Sequence, residues 1–369
     1  MTPSIRSPRR GARRIVAVVS GLALVAGACG GDDDDAESAD DTATETSEPA
    51  DDSADAATET TAAAGSDDEA AGDDVFQVAV VAPSTANDLS WTQALGDGLD
   101  RLVDSQNLEI AFSENLFVVE DAGAAIRDYA NQGYDLIIAH GTQYGGSIQE
   151  IAPEFPETSF AYGTSTDTLG LDNVYAYTAD AEEGGYVNGI MASALTDSGI
   201  GVVGPVEAGD AKLYVDGFIE GAEAGGADVT ATYTGSFGDV ALASEAAAAF
   251  VANGVGVLTG TSQSVVGAVG VAEENGIPFF ATQSNQVQLA PDLVVASHVY
   301  HFEVIFDTII TQIKAGTYGG ESFGLSYAND GFVLEFNDGF DLDPEIRQLG
   351  EDTVAAIVAG DIDPAGATG

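Results

Sequence analysis

Positive charge is scarce in this sequence. Of 369 residues only 10 are Lys or Arg, against 61 Asp or Glu, for a formal net charge of −51. Arg6, Arg9, Arg10, Arg13 and Arg14 account for five of those bases, and beyond them five bases face 61 acids. A surface of that sign repels phosphate backbones, which excludes nucleic-acid binding through counterion release. It also presents no basic face to anionic lipid headgroups. Dispersed acids keep a surface hydrated without calling for a cationic partner. Cysteine is limited to Cys29, so there is no intrachain disulfide and the fold must rest on its own core.

Catalytic and metal signatures are missing as well. With Lys212 and Lys314 as the two lysines there is no Walker motif, and neither His-Glu-x-x-His nor Gly-x-Ser-x-Gly occurs. The three histidines, His140, His298 and His301, form no i, i+4 pair, and structural roles are expected for them rather than metal ligation. The string Gly199–Gly204 fits the dinucleotide pattern in letters only, because its Val-rich interior reads as a strand that follows a helix. No catalytic residue, metal or cofactor is expected. Arginine beyond the N-terminus is confined to Arg101, Arg127 and Arg347, each on an expected helix. Receptors for carboxylates or phosphates use a bidentate guanidinium, so a neutral or weakly cationic ligand bearing N–H or O–H donors fits better.

The start of the chain reads as an export signal. A basic stretch precedes the apolar run Ile15–Ala28, whose fourteen residues reach about 21 Å as a helix, short of a hydrocarbon core of roughly 30 Å. Ala26, Gly27 and Ala28 before Cys29 resemble a bacterial lipobox, which makes 1–28 a lipoprotein signal peptide and Cys29 the lipidation site; ordinary cleavage at small residues is the alternative. Residues 29–74 carry 18 acids, no aromatic and no base, and are expected to form a disordered tether. Asp32–Asp35 lacks calcium-loop spacing. The expected location is the extracytoplasmic face of a cell membrane, held by a lipid anchor.

Residues 75–369 alternate β-rich and helical segments. Strands are expected at 76–82, 108–112, 134–139, 159–162, 174–177, 200–203, 229–233, 255–258, 277–281, 293–299 and 332–336. Helices are expected at 90–102, 123–130, 182–195, 212–224, 241–252, 264–274 and 304–314. Near-continuous apolar strands joined by helices indicate α/β architecture, with doubly wound parallel sheets covered on both faces. An internal echo supports two of them: Ala130-Asn-Gln-Gly-Tyr-Asp-Leu-Ile-Ile-Ala-His-Gly-Thr142 parallels Ala252-Asn-Gly-Val-Gly-Val-Leu-Thr-Gly-Thr261. Each places Gly-Thr at a strand's carboxyl end, where open α/β sheets bind ligands. Lobe 1 is expected to comprise 75–178 plus about 300–318, and lobe 2 to comprise 179–299 plus about 319–369.

Aromatics beside acids at strand ends are the candidate binding residues. In Asn87-Asp88-Leu89-Ser90-Trp91-Thr92-Gln93, Asp88 or Ser90 caps a helix and presents Trp91 in its first turn. Gly235-Ser-Phe-Gly-Asp239 repeats the arrangement with Phe237 and Asp239. Helix packing for Trp91 and capping for Asp239 remain open alternatives. Gln143 and Gln283 offer amides, with Tyr144 beside the former.

These segments resemble the basic membrane protein (PnrA-like) family of ABC-transporter solute-binding lipoproteins over about 76–340. The likeness rests on Asp88-Leu-Ser-Trp-Thr-Gln93, Gly133-Tyr-Asp-Leu-Ile-Ile138, Ala152-Pro-Glu-Phe-Pro156, Glu183-Gly-Gly-Tyr-Val-Asn-Gly189, Gly217-Phe-Ile-Glu-Gly221 and Ser236-Phe-Gly-Asp239. The resemblance implies a type I periplasmic-binding-protein fold, two lobes with three chain crossings, and a purine nucleoside or related base bound between them. It makes Trp91 and Phe237 a base-stacking pair, puts Thr92 where Asn is usual, and assigns Gly260 a close approach to the ligand. Asp88, Ser90, Gln143, Tyr144, Asp239, Gln283 and Tyr300 complete the expected ligand set. Three positions depart from the pattern. Ala82-Pro83-Ser84 lacks the early Asp, Gln283 replaces the ribose-holding Asp, and Tyr300 replaces a late Lys. A free nucleobase or other flat heterocycle therefore stays open beside a nucleoside. The implied partners are a purine-like solute, an ABC permease and its ATPase, with the chain a monomer and not an enzyme. A sugar receptor, a secreted nucleoside-processing enzyme and a sensor module are the rival readings.

Overall fold

The computed structural model describes residues 75–365. The expected signal peptide, Cys29 and the expected tether lie outside the described residues, within which no helix is long and apolar enough to cross a membrane. The chain runs β1 (Phe76–Val81), α1 (Trp91–Gln106), β2 (Leu108–Ser113), α2 (Val119–Gln132), β3 (Leu136–Ala139), α3 (Gly145–Ile151), β4 (Ser159–Gly163) and β5 (Val174–Ala179). It continues with α4 (Ala181–Leu195), β6 (Ile200–Gly204), α5 (Gly209–Ala224), β7 (Val229–Tyr233), α6 (Val240–Ala252), β8 (Val257–Gly260), α7 (Val265–Asn275), β9 (Phe279–Gln283) and β10 (Val294–Tyr300). Then come α8 (Glu303–Lys314), β11 (Ser322–Leu325), β12 (Phe332–Phe336) and α9 (Pro344–Ala359).

Two six-stranded sheets result, in the orders β11-β5-β4-β3-β1-β2 and β12-β10-β9-β8-β6-β7. All pairings are parallel except β10 with β12. Successive strand residues enter opposite cores: Val78 and Val80 pack on one face of the first sheet, Ala79 and Val81 on the other. This is the two-lobed α/β architecture of type I solute-binding proteins. The echoed segments become α2–β3 and α6–β8, which hold equivalent places in the two sheets. Gly199–Gly204 is β6 with the residue before it, so it cradles no dinucleotide.

The chain passes between the sheets at 179–181, 300–303 and 325–332. The third crossing falls later than the boundary expected near 318, because Ser322–Leu325 pairs in parallel with β5 and extends the first sheet. Helices α4 and α5 meet through reciprocal glycines. A Cβ on Gly189 would lie 2.2 Å from the Phe218 carbonyl oxygen, and one on Gly221 2.1 Å from that of Tyr186. Two motifs behind the family likeness therefore serve backbone-to-backbone helix packing.

Candidate functional site

In both sheets the strand order reverses beside the first strand of the lobe, β1 or β6. Loops leaving the carboxyl ends at such a point diverge and open a crevice. Here the crevices of the two lobes face one another across a cavity of about 180 Å³. One water needs roughly 10–15 Å³ on this measure, so the space admits a small organic solute. Lobe 1 contributes Trp91, Phe117, Thr164 and the run His140–Gln143; lobe 2 contributes Ala208–Ala211, Phe237, Ser262, Gln263 and Gln283.

Trp91 and Phe237, on opposite lobes, line this one cavity. The indole is 6% exposed and stacks on His140, with ring centroids 4.4 Å apart and planes within 5°. Phe302 and Tyr300 meet it nearly at right angles, at 5.3 and 6.1 Å. At most one indole face therefore remains for a guest. His140 is fixed at both nitrogens. Its Nε2–H donates to the Trp91 carbonyl at 3.1 Å, and its Nδ1 accepts from the Tyr177 hydroxyl at 2.6 Å. Burial pushes its pKa down to about 3, so it is a neutral platform with no lone pair left for a metal. His298 is buried beside Thr282, and His301 pairs with Glu303. Among the described residues no cluster of His, Cys, Asp or Glu could hold a metal.

Of the other expected ligand residues, Gln143 and Gln283 line the cavity. Asp88 is the cap of α1: one carboxylate oxygen accepts from Ser90 N and Gln93 N, the other from Ser84 Oγ and Thr92 N, at 2.7 to 3.1 Å. Thr92 is buried with its hydroxyl 2.6 Å from that of Ser84. Tyr144 sits in the lobe 1 core, where its hydroxyl donates to the Leu116 carbonyl at 2.8 Å. Asp239 caps α6, accepting from Ala241 N and Leu242 N at 3.0 and 3.1 Å. Gly260 ends β8 with Val203 packed against it, and Tyr300 is 1% exposed among aromatic rings. These five side chains and Gly260 are absent from the cavity wall, because capping and core packing already use them.

Ser90 takes a different part. Its hydroxyl donates to Oε1 of Gln283, Ser284 Oγ donates to the Ser90 carbonyl at 2.8 Å, and Gln286 Nε2 donates to the Leu89 carbonyl at 2.8 Å. Three hydrogen bonds thus tie the loop before α1 to the segment after β9, latching lobe to lobe. Leu89 and Gln283 are held at φ of 57° and 71°, and cavity-lining Thr164 and Ser262 at 59° and 87°. A left-handed backbone at such residues costs about 1–3 kcal/mol and tends to collect at ligand clamps.

Asp210 is absent from the expected set. It follows Gly209 in the first turn of α5, lines the cavity and is 7% exposed. Burial pushes its carboxyl up to about 6, an effect that the backbone N–H groups of Ala211 and of Asp210 itself partly offset. In a chain of 61 acids, an Asp in a helix first turn looks like ordinary dipole compensation. The usable signal is its position after β6, opposite the loop that carries Trp91. No lining residue is Lys or Arg, so the wall is negative at neutral pH and repels anionic solutes.

The family model for ABC transporter substrate-binding proteins of the PnrA-like type matches residues 75–355. The chain belongs to this family. It is similar to a purine-binding protein of Brucella abortus, 26% identical over 79% of this chain and 83% of that protein. It is also similar to a transcriptional activator, the med protein of Bacillus subtilis, at 24% identity over 66% of this chain and 77% of that one. Among solved structures, an ABC transporter solute-binding protein from Conexibacter woesei superposes with a TM-score of 0.67 at 23% identity, covering 78% of this chain and 98% of the other. The PnrA-like chain is thus a substrate-binding protein of the ABC transporter type.

Proposed function

We propose that this protein captures a purine nucleobase or a similar flat, uncharged solute between its lobes and hands it to an ABC permease driven by its ATPase. It acts as a monomer, without turning its ligand over, and is held by a lipid on Cys29 at the extracytoplasmic face of the membrane. The observation that carries this reading is the single cavity lined by Trp91 from one lobe and Phe237 from the other, with no basic side chain in its wall. Aromatic faces reward a planar guest, and the absence of a guanidinium disfavours carboxylates and phosphates. The purine-binding relative from Brucella points to the same class.

A base is preferred over a nucleoside. Gln283 gives its Oε1 to the latch with Ser90, and Tyr300 lies inside the core, so neither replaced position offers a ribose the acceptor or the cation that the family pattern places there. Closure around the guest gives the permease a shape to recognise, a population shift set by differential affinity for the closed form.

Calorimetric titration of the purified protein with purine bases, nucleosides, hexoses and amino acids tests the reading. Binding by bases, with nucleosides weaker, is expected. Binding by hexoses alone would replace it with a sugar receptor, and conversion of a nucleoside during the titration with an enzyme. A sensor role, as the similarity to a transcriptional activator would suggest, requires capture without uptake; loss of purine uptake on deleting the gene speaks against it.

A further inference from the structure

Within the cavity proposed above to hold a planar base, the two lobes differ in what they leave unpaired. Asp210 Oδ2 and Gln263 Oε1 are both buried without a hydrogen-bond partner, and both residues line the cavity from lobe 2. An unmet buried acceptor is costly, and a carboxylate oxygen more so than a neutral one. Native proteins seldom keep such atoms unless something fills them.

No basic side chain of this protein fills them. Each of the five bases among the described residues is engaged elsewhere: Arg101 with Glu303, Arg127 with Glu154, Lys212 with Asp216, Arg347 with Asp338, and Lys314 with Gln106. Lys212, two residues from Asp210, points along its own helix to Asp216. The neutral ring of His140 donates its N–H to the Trp91 carbonyl, so it has no proton to offer across the cavity. No cationic group of the described residues pairs with this wall, so an N–H donor on a guest can.

We propose that Asp210, with Gln263 on the same lobe 2 wall, reads the edge of the guest and selects planar nitrogen heterocycles that carry an exocyclic amino group. The carboxylate can only accept, so it rewards an amino N–H and penalises a carbonyl or an ionised oxygen at the same place on the ring. Trp91 and Phe237 grip the faces and are indifferent to substituents, which leaves discrimination to this edge. Burial raises the Asp210 carboxyl despite the backbone N–H groups of Ala211 and Asp210, consistent with a carboxylate whose second oxygen is left without a partner. This inference rests on the base-binding reading and sharpens it from flat solute to amino-substituted base.

Adenine and unsubstituted purine share the ring and differ in the amino group, so they are the probes. Calorimetric titration of the wild-type protein, Asp210→Asn and Asp210→Ala with both separates the contributions. Wild type is expected to prefer adenine over purine by about 10- to 100-fold, the range for a hydrogen bond to a charged group. Asp210→Ala should bring the adenine-to-purine affinity ratio to about one. Asp210→Asn keeps the shape and also offers an amide N–H, so it should reduce the preference; a melting curve for each variant establishes that it is folded. An adenine-to-purine ratio unchanged in folded Asp210→Ala overturns the assignment of Asp210 and leaves base binding intact. A wild-type protein that binds neither probe overturns base binding and this inference with it.

Discussion

His140 on the lobe 1 wall of the cavity is hydrogen-bonded at both ring nitrogens within its own lobe, whereas on the lobe 2 wall Asp210 Oδ2 and Gln263 Oε1 have no partner. The two lobes share strand order and strand-end geometry, yet one wall is finished and the other is not. Lobe 1 is a preorganised platform: Trp91 lies on a neutral His140, which Tyr177 holds in turn. Lobe 2 is the half whose polar groups await a partner. Preorganisation on one side lowers the ordering cost of binding, while unmet acceptors on the other confer selectivity.

The largest break in this contrast comes from removing the platform. Trp91→Ala deletes a side chain that is 6% exposed and is expected to cost about 3–5 kcal/mol of unfolding free energy, with loss of solute binding. Urea denaturation of the unliganded variant measures the first effect and calorimetry the second. A mild loss would mean that His140, Phe302 and Tyr300 close over the gap.

Asp210 should behave in the opposite sense. A carboxyl with a raised folded-state pKa binds its proton more tightly in the folded than in the unfolded protein, so its stability penalty grows as pH rises from 3.8 toward about 6 and is complete above that. Asp210→Asn removes the penalty. The unliganded variant is therefore expected to be more stable than wild type at pH 7.5, by an amount on the order of 2 kcal/mol, with the difference vanishing below about pH 4. Tyr177 and Tyr300, which lie close enough to feel the Asp210 charge, stay neutral throughout, since burial pushes both hydroxyls well above 10. Thermal melts of the two proteins across that pH range check the sign.

Smaller effects separate the latch from the caps. Ser90→Ala removes the hydroxyl that reaches Gln283 across the lobes, a bond of about 1 kcal/mol, which should weaken solute affinity roughly fivefold. Small-angle scattering should show the unliganded variant to be more open than wild type. Asp239→Ala removes the cap of α6 and should cost about 1 kcal/mol of stability while solute affinity holds. A large affinity loss there would restore Asp239 to the ligand set.

Much of the fold is legible in the sequence because parallel strands buried on both faces appear as uninterrupted apolar runs, as in Leu136–Ala139 and residues 279–281. The misses have local causes. β11 is a four-residue edge strand, Ser-Phe-Gly-Leu, too short and too exposed at its start to show a pattern. α3 opens with two glycines, which are weak helix formers. α9 begins at Pro344, beyond the last strand of the alternating pattern. For the site, strand-end aromatics are readable, since the carboxyl-end rule locates them without contacts. Polar roles are not: whether Asp88, Asp239 or Asp210 faces a cavity depends on which backbone N–H groups lie within reach, and only the assembled lobes decide that.

Because Trp91 is the one tryptophan in the chain, its emission reports on the platform without labelling. Titrating the protein with adenine while recording that emission tests the central claim, that a planar guest stacks between Trp91 and Phe237. A saturable change in intensity is predicted, with a midpoint equal to the calorimetric affinity and abolished by Phe237→Ala. A base that binds by calorimetry while leaving the indole emission unaltered would contradict it.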